Sequence, residues 1–146
     1  MASGKQQKQF SGLLAEELQS LAQTAEVRFY KAGQAIFIEG DPGDGIYVVL
    51  EGCVQVSALV GQNERRVLTR IEKNDFFGEM AVLDDGPRSA TAMAEIDTRA
   101  FFIRRDNLLN VLDHSPKLAV SLVREFSLRM REFNRHYIQE VLQAER

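Results

Sequence analysis

Short apolar runs separated by glycine-containing turns occupy the middle of the chain. Seven of the ten glycines lie between Gly33 and Gly78, where the runs alternate with turn sequences. Glycine adopts positive φ at little steric cost, which suits tight turns between strands. Regularly spaced short strands with glycine punctuation predict a mainly β fold, an antiparallel β-roll or jelly roll. The predicted strands are residues 27–30, 35–38, 46–50, 53–60, 66–71, 90–96 and 99–103.

Helical periodicity flanks the predicted strands on both sides. Leucines three and four residues apart predict an amphipathic leading helix over residues 10–25. After the last strand, Asp106 is predicted to cap a short hinge helix over residues 107–112. Ser115 followed by Pro116 is typical of a helix start. No glycine or proline follows, so we expect a long C-terminal helix of about 45 Å.

Length and composition indicate one globular domain. The chain has 146 residues, 45% hydrophobic and 27% charged, so we expect a single domain over residues 1–146. Its β-roll covers about residues 27–103, and its hinge and C-terminal helices about residues 106–145. The net charge of -3 argues against a strongly basic nucleic-acid-binding surface. No apolar run of about 18 residues is present. These features predict a cytoplasmic protein without membrane insertion.

One cysteine and two histidines limit the chemistry available to the chain. A single cysteine, Cys53, excludes an intramolecular disulfide, and two histidines exclude a multi-histidine metal site. A cupin-type metal enzyme on a jelly roll would need ligands converging from strands. Neither His114 nor His136 lies in a predicted strand. We therefore expect no enzyme activity, no metal and no cofactor.

Residues 76–92, with the sequence FFGEMAVLDDGPRSATA, break the rhythm of the strands. A short helical stretch over residues 78–83 leads through a turn to a lone arginine, Arg88. Gly78 allows a ligand to approach the backbone, and the amides of a helix start donate to phosphates. Arg88 would pair bidentately with phosphate oxygens, with the Ser89 hydroxyl beside it. The carboxylate of Glu79 is an acceptor and suits a sugar hydroxyl. A phosphate beside a sugar hydroxyl describes a nucleotide.

This segment resembles the phosphate-binding cassette of cyclic nucleotide-binding domains. Such domains occur in bacterial catabolite activators, protein kinase A regulatory subunits and nucleotide-gated channels. The similar stretches are residues 77–81 and 87–91, and the order of helices and strands is similar along nearly the whole chain. The resemblance implies a cyclic nucleotide as the ligand, cAMP more than cGMP.

The resemblance also implies a role for each cassette residue. Glu79 accepts the ribose 2′-hydroxyl, and Met80 and Ala81 lend backbone amides. Arg88 pairs with the exocyclic phosphate oxygens, and Ser89 contacts the phosphate beside it. The implied ligand-binding residues of the cassette are Gly78, Glu79, Met80, Ala81, Arg88 and Ser89.

Three residues of the last helix join this set when the chain is aligned with the catabolite activators. Arg129 falls where an arginine reaches toward the ligand, and Phe133 and Asn134 fall where polar residues contact the base. For Arg129 and Asn134 the alternative is a solvated position on the helix. Asn74 stands where many members have glycine, and asparagine tolerates positive φ better than most residues.

The C-terminal helix also carries an apolar stripe. Its spacing of three and four residues continues beyond the length that one β-roll can cover. We therefore expect a homodimer in which this helix pairs with its copy as a short coiled coil. Folding of the helix back onto its own β-roll is the alternative. The stripe consists of Leu122, Phe126, Met130, Phe133, Tyr137 and Val141.

A cyclic nucleotide sensor is the function that these features favour, with the ligand closing the C-terminal helix over its site. Two alternatives remain open. In the first alternative, the chain is the regulatory fragment of a larger transcription factor, channel or kinase. In the second, it is a ligand-free dimerisation scaffold of the same fold. A DNA-binding regulator would need a helix-turn-helix after the long helix. The chain stops at Arg146, so we expect no direct contact with nucleic acid. The downstream effector is not indicated.

Overall fold

Two antiparallel sheets of four strands each form the body of the protein. A computed structural model describes residues 25–144. The sheets have the strand orders β1-β8-β3-β6 and β2-β7-β4-β5, so the predicted antiparallel β-roll is confirmed. The leading helix was predicted over residues 10–25. All of it except Ala25 lies outside the described residues. The strands are β1 Glu26–Tyr30, β2 Ala35–Phe37, β3 Gly45–Glu51, β4 Cys53–Val60, β5 Glu64–Glu72, β6 Phe76–Phe77, β7 Thr91–Ala94 and β8 Thr98–Arg104.

All seven predicted strands are present, six of them with shifted ends and β4 with the predicted bounds, and one strand was missed. β6 has only two residues, Phe76–Phe77, which is too short for an alternating pattern to register. It pairs with β3 through Tyr47 opposite Phe77 and Val48 opposite Phe76. This pairing carries the chain directly from the sheet into the segment that the sequence marks as the candidate site.

Three helices complete the described fold, and none of them is long and apolar enough to cross a membrane. They are α1 Glu79–Leu83, α2 Arg105–His114 and α3 Pro116–Ala144. The predicted cap of α2 is wrong, because Arg104 occupies the cap position. Asp106 lies instead in the first turn, where a carboxylate complements the helix dipole. The predicted start of α3 is confirmed, since the Ser115 hydroxyl accepts the Leu118 N–H at 3.3 Å.

Strand β3 is buried on both faces, and this arrangement positions the helices. Tyr47 and Val49 point into the space between the two sheets. The alternate residues Ile46 and Val48 pack on the opposite side against the helices. Burial on both faces explains why β3 reads as a continuous apolar run. The helix-side core consists of Ile46, Val48, Phe76, Val82, Ile103, Leu108, Leu118 and Leu122. It holds α2 and the first half of α3 beside α1.

Candidate functional site

Gly78 forms the junction between β6 and α1 and has a left-handed conformation, with φ +84°. A Cβ atom at this position would lie 2.6 Å from Arg88 Nη1 and 3.4 Å from the Phe37 ring. Both the backbone conformation and the available space therefore require glycine here. Its carbonyl oxygen accepts a hydrogen bond from Arg88 Nη1 at 2.6 Å. Gly78 and Arg88 thus form one unit, as their positions in the predicted site require.

Arg88 is buried, with 2% of its surface exposed. Its Nη2 donates to the Gly45 carbonyl at 2.7 Å and to Asp44 Oδ1 at 3.0 Å. Its Nε is also buried but has no hydrogen-bond partner among the described residues. A buried N–H donor without an acceptor costs free energy, and the cost is larger on a charged group. The guanidinium therefore retains capacity for a further acceptor.

The loop between β2 and β3 is bound to both Arg88 and α1. The Arg88 N–H donates to the Asp41 carbonyl at 2.8 Å, and the Gly40 N–H donates to the Arg88 carbonyl at 2.9 Å. A Cβ atom on Gly43 would lie only 2.5 Å from Ala81 Cβ, so the loop backbone rests against α1. These contacts hold the loop, the helix and the arginine in a fixed relation.

Glu79, the first residue of α1, is buried and paired with the long helix. Its Oε1 accepts a hydrogen bond from Arg129 Nη1 at 2.9 Å, and its side chain is 8% exposed. Burial raises the pKa of this carboxyl above its usual value, although the nearby Arg129 guanidinium opposes that shift. The two residues lie 50 positions apart in the sequence, so this ion pair attaches α3 to the cassette.

Arg129 also binds β6 and the residue before it. Its Nη2 donates to Asp75 Oδ1 at 2.6 Å and to the Phe76 carbonyl at 2.7 Å, and its Nε lies 3.5 Å from Glu125 Oε1. Burial alone would lower the pKa of Arg129, but the surrounding carboxylates Glu79, Asp75 and Glu125 more than offset this, so the pKa is raised. Arg129 is therefore not a solvated position on the helix.

The remaining predicted residues are dispersed around this centre. Ala81 is buried, the Met80 side chain is half exposed, and Ser89 is exposed beside Arg88. Asn134 is exposed on α3, about one and a half turns beyond Arg129. The side chain of Phe133 lies outside what the structure describes. Their assignment to a ligand remains a prediction.

Sequence reasoning missed four residues that contact the predicted ones. Asp44 and Phe37 both contact Arg88, and Asp75 and Glu125 both contact Arg129. Glu125 had a readable signal, because acid and arginine four residues apart face each other on a helix. The contacts of Asp44, Phe37 and Asp75 join distant parts of the chain, so the spacing of neighbouring residues does not indicate them.

The predicted apolar stripe of α3 divides between two surroundings. Leu122 belongs to the core of its own domain, with 2% of its surface exposed. Met130 and Tyr137, in contrast, are 61% and 60% exposed. This division agrees with the expectation that the β-roll covers only part of the helix and leaves the rest for a partner. The pairing of the remaining part with a second copy stays a prediction. The early part of α3 folds onto its own domain, while its later part presents apolar side chains outward.

Fold and site together define a β-roll domain whose central glycine–arginine unit is attached to a long C-terminal helix. Comparison with known families gives the class. The family model described as "Cyclic nucleotide-binding domain" matches residues 27–115. This match covers more than half of the chain, and the chain belongs to that family. The match ends where α3 begins.

Curated relatives agree with this assignment. The chain is 33% identical over 123 residues to the "Cyclic AMP receptor protein" of Thermus thermophilus, covering 84% of this chain and 57% of that protein. It is 28% identical over 125 residues to the "CRP-like cAMP-activated global transcriptional regulator" of Mycobacterium tuberculosis, covering 86% and 56%. It is 38% identical over 94 residues to a "cAMP-dependent protein kinase regulatory subunit" of Debaryomyces hansenii, covering 64% and 20%. The chain thus spans just over half the length of the bacterial relatives.

Solved structures show the same architecture. The catabolite activator protein of Thermus thermophilus matches with a TM-score of 0.76 and 31% identity, over 84% of this chain and 57% of that one. A cyclic nucleotide-binding domain from Methylobacillus flagellatus also matches with a TM-score of 0.76, at 26% identity, over 86% and 72%. The predicted resemblance to this family, and to the catabolite activators within it, is confirmed.

Proposed function

We propose that this chain is a non-enzymatic, cytoplasmic cyclic nucleotide sensor that binds cAMP in preference to cGMP. The observation that carries the proposal is the state of Arg88. Its guanidinium is buried beside Gly78, and its Nε has no acceptor among the described residues. A guanidinium pairs with phosphate oxygens through two parallel N–H donors. A cyclic nucleotide phosphate carries one negative charge, and therefore adds less charge beside a guanidinium already paired with Asp44 than a doubly charged phosphate would.

The choice of nucleotide is supported from two directions. The names of the relatives refer to cAMP as the molecule that activates or is received. Glu79 is the first residue of α1, directly after the Gly78 that Arg88 contacts, and offers a carboxylate acceptor to a ribose 2′-hydroxyl. We propose that Ser89 and the backbone amides of Met80 and Ala81 complete the phosphate site. Asn134 and Phe133 would then face the base.

The ion pair between Glu79 and Arg129 supplies a route for the output. A ribose hydroxyl that binds the Glu79 carboxylate would contact the same group that now holds Arg129 at 2.9 Å. Occupancy of the site and the position of α3 therefore depend on a shared carboxylate. A ligand shifts a conformational equilibrium only by its difference in affinity for the two states. We propose that the ligand favours the state in which α3 is closed over the site, because that state brings Arg129 to the carboxylate that the ribose hydroxyl binds.

The test of ligand binding is the Arg88→Leu variant titrated with cAMP by calorimetry. Truncating one partner of a buried charge pair costs roughly 2–5 kcal/mol, so we expect the affinity to fall by about two to three decades. Arg104→Leu is the matched control, because the Arg104 side chain is 67% exposed and should leave affinity unchanged. Circular dichroism would verify that both variants fold. An unchanged Kd in a folded Arg88→Leu variant would contradict the phosphate site.

A second proposal concerns assembly, and the exposed side of α3 favours it. Along this helix Val120, Val123, Met130, Tyr137 and Val141 are all at least 39% exposed. With Ser127 and Asn134 in the intervening positions, they follow spacings of 3, 4, 3, 4, 3 and 4. This is the heptad pattern of a coiled-coil seam. We propose that a second copy of the chain covers it, and that the homodimer transmits the movement of α3.

A further inference from the structure

The Arg88 guanidinium lies over the face of an aromatic ring. The Cζ atom of Arg88 lies 4.2 Å from the centroid of the Phe37 ring, which comes from the end of β2. A cation over an aromatic face is attracted by the ring quadrupole, most strongly where water is excluded. The Arg88 side chain is 1% exposed, so water is excluded here.

The surrounding structure fixes this ring in place. Its centroid lies 5.9 Å from that of Tyr47 and 5.9 Å from that of Phe77, both of which are buried. The register of β2 shifts between Ala35 and Phe37, and such irregularities redirect side chains. Three residues after Phe37, the Gly40 N–H donates to the carbonyl of Arg88 itself. The backbone hydrogen bond and the ring contacts therefore both hold the Phe37 ring beside the Arg88 guanidinium.

The ring and the hydrogen bonds act on different parts of the guanidinium. The Nη1 and Nη2 atoms are bonded at the edges of the plane to Gly78, Gly45 and Asp44. The Phe37 ring lies below the Cζ atom, and its π electrons stabilise the charge without using an N–H donor. Within residues 25–144, the Nε–H has no hydrogen-bond partner. The guanidinium is thus oriented before any ligand arrives, which reduces the free energy that binding must spend on ordering it.

We propose that Phe37 is a positioning residue that sets the affinity of the site for a cyclic phosphate. It acts through the Arg88 guanidinium and contacts no ligand in this role. The inference rests on the proposed function, since it assumes that Arg88 binds the phosphate. If Phe37 acts in this way, the affinity for the cyclic phosphate depends on the electron density of the Phe37 ring as well as on its volume.

The experiment replaces Phe37 with phenylalanines carrying one, two and three fluorine atoms, and measures cAMP binding by calorimetry. Fluorine withdraws density from the ring face while nearly keeping the ring's shape, so the Kd should rise stepwise along the series. Phe37→Leu, which removes the ring, should weaken binding about tenfold, and Phe37→Tyr should retain affinity close to wild type. Phe29→Leu is the matched control, because Phe29 is 73% exposed on β1 and should leave Kd unchanged.

The outcomes separate this inference from the proposed function. If the wild-type chain binds cAMP and the fluorinated series shows a flat Kd, Phe37 acts only as apolar filling and the inference is overturned alone. If the wild-type chain does not bind cAMP, the proposed function fails and the inference fails with it. A stepwise rise with rescue by tyrosine supports both.

Discussion

Replacing Arg129 with leucine tests whether one residue holds the long helix against the cassette. The guanidinium makes hydrogen bonds with Glu79, Asp75 and the Phe76 carbonyl, and its Nε lies 3.5 Å from Glu125. Leucine keeps much of the aliphatic volume but removes the charge and every donor. Three carboxylates would then lie near one another without a cation between them.

The structure sets the magnitude of the loss. The side chains of Glu79, Glu125 and Asp75 are 8%, 6% and 18% exposed, so solvent screens them little. Removing one partner of a buried ion pair costs about 3–5 kcal/mol. Arg129 is itself 26% exposed, and protonation of the buried acids relieves part of the repulsion. We therefore expect a loss near the lower end, about 3 kcal/mol at neutral pH, and a smaller loss in acid.

Urea unfolding of the ligand-free chain, followed by circular dichroism, measures this loss. Arg131→Leu is the matched control, since Arg131 lies two residues away on the same helix and is exposed. An exposed substitution of this kind should stay within about 0.5 kcal/mol of wild type. Equal unfolding free energies for the two variants, at neutral pH, would refute the argument that Arg129 anchors α3.

Three further variants test other parts of the account. Glu79→Gln should narrow discrimination between cAMP and its 2′-deoxy analogue by about 1.5–3 kcal/mol, because a hydrogen bond to a charged acceptor is lost; calorimetry with both ligands measures this, and undiminished discrimination would leave Glu79 as a partner of Arg129 only. Burial raises the pKa of Glu125, so the stability it contributes is present in acid and is lost as pH rises above the ordinary value of 4.5 through the folded-state pKa. Glu125→Gln should therefore gain stability relative to wild type between acid and neutral pH, and parallel pH profiles of the unfolding free energy would contradict this. Tyr137→Asp should convert a dimer into monomers in light scattering, because it places a charge in the exposed seam of α3; a wild-type monomer at high micromolar concentration would defeat the dimer proposal.

The fold was predictable because its signals are local and repeated. Glycines mark the turns of the β-roll, and Asn74 has the positive φ, +71°, that asparagine tolerates better than most residues. Ser115 and Pro116 mark the start of α3, and a serine hydroxyl accepts the expected hydrogen bond there. Each of these signals depends on the conformational preference of one or two residues, which a sequence displays directly.

The contacts within the site could be predicted only in part. Gly78 and Arg88 were placed together because their spacing is itself distinctive, and the structure brings them within hydrogen-bond distance. The pairing of Arg129 with Glu79 joins residues 50 positions apart, and the contact of Phe37 with Arg88 joins two different strands. Such contacts follow from the packing of the completed fold, so local periodicity does not contain them.

Calorimetric titration of the wild-type chain with cAMP, cGMP and linear AMP tests the central claim most directly. The site offers one buried guanidinium, Arg88, which is already paired with the Asp44 carboxylate at 3.0 Å. The two negative charges of the AMP phosphate would therefore be compensated less well than the single charge of a cyclic phosphate. We predict saturable binding of one cAMP per chain, with weaker binding of cGMP and at least tenfold weaker binding of AMP. The absence of cAMP binding, or equal affinity for cAMP and AMP, would contradict the account.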